Sequence, residues 1–105
     1  MRLADMSETQ KLIDEMYAGS LPAIVNGVRA NHPILVLNAI IAGTKFNVCD
    51  PKFVKGVLDA ERCETQLLNI PIKHVANAAL HLLGIKEYQG DDLQVKAMIE
   101  SKFAV

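Results

Sequence analysis

Two imidazoles, His74 and His81, stand seven residues apart, with Lys73 just before the first and Asn77 between them. On a helix that spacing is close to two turns, so both rings lie on one side but about 10 Å apart along the axis. One metal ion does not span that distance without a third element, and the HExxH spacing of zinc hydrolases does not occur. A metal or catalytic site at His74 and His81 is therefore the least favoured chemistry. Lys73, His74, Asn77 and His81 read instead as a polar stripe able to bind another macromolecule. Asn38 interrupts the most apolar segment of the chain. It either joins that binding set or has its amide satisfied by backbone of a neighbouring helix or loop, since an unpaired buried amide is costly.

Other reactive constellations are missing. The available nucleophiles are Ser7, Ser20, Ser101, Cys49 and Cys63, and none sits in a GxSxG elbow. Asp50 follows Cys49 directly, and its negative charge opposes a thiolate there. Asp91 and Asp92 form an adjacent acidic pair, which before a helix serves the positive end of the macrodipole. The six glycines make no phosphate-cradling loop. Neither catalysis nor a cofactor is expected.

Composition narrows the class further. The 105 residues carry 11 Lys plus Arg against 12 Asp plus Glu, a formal charge of −1. Lys45, Lys52, Lys55, Arg62, Lys73 and Lys86 are scattered, and Asp59 and Glu61 follow closely on the Lys52 and Lys55 pair. Nucleic-acid binding draws on a basic excess to neutralise phosphates, so it is not expected. A 50% hydrophobic content excludes disorder, and 5% aromatic content implies a core of Leu, Ile, Val and Ala. The length fits one domain over residues 1–105. Charges spread through residues 1–16 leave no signal-peptide core, and the apolar run at 34–42 is too short to cross a bilayer. Two cysteines without a CxxC motif read as reduced thiols. A cytoplasmic protein without a membrane partner is the expectation.

The elements that must position these residues all read as helices. Ser7 and Gln10 have capping-box spacing ahead of an apolar stripe of Leu12, Ile13, Met16 and Tyr17, and Gly19 is the stop. Ser20 and Pro22 open a second helix, with Leu21, Ile24, Val25 and Val28 on one face. A third follows Asn31, with Pro33 in its first turn and His32 shaping the approach. It is apolar nearly all round, which predicts burial between neighbours. Asp50 and Pro51 are the clearest start signal, followed by Phe53, Val54, Val57 and Leu58. Asn69 and Pro71 open a fifth helix that ends at Gly84. Gly90 and Asp91 precede a last helix carrying Leu93, Val95, Met98, Ile99 and Phe103. No strand pair is expected.

The chain also resembles itself. Asn31, Pro33 and Ile34 correspond to Asn69, Pro71 and Ile72, while residues 36–41 lie over 75–80 and align Asn38 with Asn77. Asp50 and Pro51 correspond in turn to Asp91 and Asp92. Residues 70–84 place Pro71 near the start, Lys73 just after it and Ala and Leu at packing positions. That run resembles the second helix of a HEAT unit, and 33–43 is a poorer copy without the basic residue. The chain is thus similar to the HEAT and armadillo-like α-helical repeats over residues 20–103, with the first helix as a cap.

That resemblance implies an all-α fold, a short α-α superhelix of about six helices stacked as antiparallel hairpins. An irregular bundle is the alternative architecture. It also implies a non-enzymatic protein–protein interaction module, binding through the repeated second helices with Asn38, Lys73, His74, Asn77 and His81 as contacts. A dedicated inhibitor, such as an immunity protein against a bacterial toxin, is the alternative function, although the acidic surface useful against basic nucleases is missing. The apolar tail of Phe103, Ala104 and Val105 suggests a homodimer.

Overall fold

Three helices of this chain start at an oxygen-bearing side chain, Ser20, Asp50 or Asp92, that accepts from the first amides. The structure is a computed structural model that describes the backbone of residues 3–67 and 70–103 and the side chains of 8–66 and 70–103. Among the described residues there are six helices. After α1 (Leu3–Tyr17), α2 (Leu21–Val28) is capped by Ser20, whose Oγ accepts from the Ala23 N–H at 3.4 Å. Proline opens α3 (Pro33–Lys45) and α4 (Pro51–Ala60). Asp50 caps α4 by accepting from the Lys52 N–H at 2.8 Å. Asp92 caps α6 (Leu93–Ser101) the same way, accepting from the N–H groups of Gln94 and Val95 at 2.8 and 3.1 Å. The α6 cap is Asp92 and not Asp91, the residue that the internal alignment sets opposite Asp50.

Several expectations need correction. α1 already runs through residue 7, so Ser7 is no cap, and the Gln10 amide donates forward to Asp14 at 2.9 Å. α5 (Ile72–Leu82) starts one residue after Pro71, and Asn69 lies outside the described residues. Pro71 is the N-cap of that helix and also the last residue of a strand. β1 (Gln66–Leu67) pairs antiparallel with β2 (Ile70–Pro71), a two-residue ladder that closes the turn into α5. Its brevity is why no alternation of polar and apolar residues announced it. Phe103, placed in an apolar tail by the sequence, is buried, and Ala104 and Val105 lie outside the described residues.

Packing follows chain order. Every substantial helix–helix contact among the described residues joins helices one or two apart in sequence. α1, α3 and α5 therefore form one layer, α2 and α4 lie against it, and α6 packs on α5. Stacked hairpins produce this pattern, because each unit can bury its second apolar face only on the next. The central helix α3 touches α1, α2, α4 and α5, which is what its all-round apolarity requires. Ala39, Ile40 and Ala42 of α3 are fully buried, as are Ala76, Ala78 and Ala79 of α5. No helix among the described residues is long and apolar enough to cross a membrane.

One contact sets how closely the layers approach. A Cβ added at Gly43 would overlap the ring of Phe53, which is itself fully buried. Helix propensity alone would make Gly43→Ala stabilising by about 1 kcal/mol. Overpacking costs about 1–3 kcal/mol, and the rigid ring has nowhere to go. We therefore expect a net loss of stability for Gly43→Ala, seen as a lower midpoint of urea unfolding. A raised midpoint would show that α3 and Phe53 are not this close.

Candidate functional site

Lys73, His74, Asn77 and His81 are brought together on α5, and each has an internal partner. Lys73 pairs with Glu64 at 3.6 Å, where both ends are exposed and the pair adds little. The two ring nitrogens of His74 face α6 and its cap: Nδ1 lies 3.0 Å from Gln94 Oε1 and Nε2 lies 3.4 Å from Asp92 Oδ2. Asn77 donates to the Lys73 carbonyl at 2.9 Å. His81 Nδ1 accepts from the Tyr88 N–H at 3.1 Å, so that nitrogen carries no proton in this contact.

These contacts close a ring. The Tyr88 hydroxyl accepts from the Asp92 N–H at 3.1 Å, and Asp92 reaches His74, so both imidazoles fasten the α5–α6 connection to α5. The sequence reading missed Tyr88, Asp92 and Gln94 as partners because they lie in or beyond a connection whose path only packing determines. Among the described residues, no group of three or more His, Cys, Asp or Glu side chains is placed to hold a metal ion. Cys49 and Cys63 are free thiols, the first exposed and the second half-buried.

Asn38 lies apart from this stripe, in a different setting. Its Nδ2 donates to the Ile34 carbonyl at 2.8 Å, and its Oδ1 accepts from the Tyr17 hydroxyl at 2.8 Å. The backbone it satisfies is one turn back in its own helix and not in a neighbouring helix or loop, while its oxygen holds the end of α1 against α3. Lys45 places its ammonium 5.9 Å from the centre of the Tyr17 ring, within cation–π range. The Phe46 ring lies over Gly19, whose φ of +92° ends α1 in a conformation that side chains disfavour.

Aromatic surface thus collects at this edge. Phe53 and Phe103 are buried, whereas Tyr17 is 39% and Phe46 50% exposed, with Ile34 also exposed nearby in the Asn38 network. Sequence reasoning missed both rings as surface features. Tyr17 read as the last member of an apolar stripe, and Phe46 falls just past the apolar run of α3. Their signal was position: each sits at a helix end, where an aromatic side chain leaves the core face.

Burial of part of the Tyr17 ring raises its phenol above the ordinary 10.0. The neutral phenol is the form that donates to Asn38, so its contribution to stability is fully present below pH 10 and is lost as pH rises through the folded-state value. Ultraviolet titration of wild type against Tyr17→Phe should show the Tyr17 component ionising above 10. A component at or below 10 would contradict this placement.

Compared with known proteins, the chain matches no protein-family model, no curated protein and no solved structure.

Proposed function

We propose that this chain is a non-enzymatic module that binds another protein, a short HEAT-like stack acting in the cytoplasm. The observation that carries the reading is the pair of exposed rings, Tyr17 and Phe46, at one edge of the layer formed by α1 and α3. Aromatic side chains dominate binding energy at protein interfaces because they bury large areas and lose few rotamers. Tyr17 is already oriented by Asn38, which lowers the ordering cost of association.

Asn38 thus belongs to the binding face through the ring it positions. Lys73 has only an exposed partner and stays available as a rim contact. His74 and His81 act first as ties between α5 and the chain that follows. A partner with an apolar patch bordered by a carboxylate suits the two rings and the Lys45 ammonium near Tyr17.

Affinity capture from native lysate tests this with three proteins: wild type, Tyr17→Ala/Phe46→Ala and His74→Ala. Truncating one hot-spot residue costs about 2 kcal/mol or more, so the double variant should bind the partner at least about thirtyfold more weakly. His74→Ala should keep it. Equal capture by wild type and the double variant would refute the aromatic face. Light scattering of the wild type that departs from 11.5 kDa with concentration would make the partner a second copy.

A further inference from the structure

Away from the aromatic edge, a cavity of about 580 Å³ opens between the end of α2, the start of α3 and one face of α4. Ligand pockets commonly enclose about 300–1,000 Å³. Arg29, Lys52 and Lys55 line it, and Asp59 is its only carboxylate. Three of the chain's 11 cations and one of its 12 acids therefore meet there, a formal charge of +2 within a chain of −1. Among the described residues none of the three cations has an ion-pair partner, although Asp59 is one helical turn from Lys55. Exposed cations gathered at one opening with little counter-charge make its potential positive, which draws an anion.

Two further observations point the same way. No side chain caps the first amides of α3, while Pro33 and Val36 of its opening residues line the cavity. Pro33 has no N–H and the Val36 N–H already donates to the His32 carbonyl, so what this end offers an anion is the positive end of the helix dipole. His32 also lines the cavity, and its Nδ1 is buried without a hydrogen-bond partner. A buried nitrogen without a partner is costly, and this one belongs to a residue of the cavity wall. Val28, Ala60 and Ile72 give it an apolar wall, and Asn31 and Thr65 add uncharged polar groups.

We infer that this cavity binds a small organic phosphate, its phosphoryl group among Arg29, Lys52, Lys55 and the N-terminus of α3. The apolar wall takes the organic part. Arg29 offers paired donors suited to phosphate oxygens, and the two lysines add point charges. This reading is independent of the protein-binding face, because it uses none of the residues placed there.

Titration of the isotope-labelled 105-residue chain with phenyl phosphate, followed by amide correlation spectra, tests the inference. Phenyl phosphate should shift amides at 28–34 and 52–60 saturably, and phenol at equal concentration should not. Arg29→Gln/Lys55→Gln should weaken binding about tenfold or more, since each charged hydrogen bond removed is of that order. Asp59→Asn should tighten it, an opposite effect that misfolding cannot imitate. No saturable shift, or an affinity unchanged in the double variant, would overturn the site. Inorganic phosphate binding as tightly as phenyl phosphate would remove the organic half of the assignment. Tighter binding of a short single-stranded oligonucleotide with the same footprint would overturn it in favour of nucleic acid.

Discussion

How closely helices can approach α3 governs the rest of the molecule. α3 is apolar on nearly every side and packs against four other helices, so its neighbours must come near enough to exclude water from its middle. Small residues make this possible: Ala39, Ala42 and Gly43 on α3, and Ala76, Ala78 and Ala79 on α5. Interiors pack at crystal-like density, so a single added methyl group at such a point is felt. Phe53 then fills the space that Gly43 leaves, and α4 is held at a fixed height. The positions of the surface features follow from that spacing.

Two of those features carry different chemistry and lie in different parts of the fold. The edge formed by α1 and α3 presents Tyr17 and Phe46, with Asn38 and Lys45 orienting and bordering the first ring. The cavity gathers Arg29, Lys52 and Lys55 around the uncapped start of α3. Polar residues on α5, which look from the sequence like the most reactive group, are engaged internally. His74, His81, Tyr88 and Asp92 form a ring of contacts that turns the chain between α5 and α6 into part of the scaffold. A polar stripe on a helix face can thus be a fastening as readily as a recognition surface.

What the sequence revealed depended on how local the physics is. Ser20, Asp50 and the acidic pair at 91–92 mark helix starts because a cap acts over two or three residues. The burial of α3 was legible from its lack of a polar face. The Ser7 and Gln10 pair misled because a longer helix through residue 7 satisfies those amides within itself. Pro71 matched Pro33 by alignment, yet the short β ladder takes it out of the helix. Phe103 looked like a free end, but left-handed residues at 102 and 103 turn it back into the core. Arg29 and Lys52 are 23 residues apart, and no spacing rule links them. Their meeting is a property of the stack.

The most direct test of the account is a map of methyl–methyl proximities in solution, from a chain labelled at Ala, Ile, Leu and Val. The layered stack expects Ala39, Ile40 and Ala42 to show contacts to α1, α2, α4 and α5. It expects no network between α1 and α6. Extensive proximities between those two terminal helices would mean a closed bundle, and would contradict the layered arrangement on which both surfaces depend.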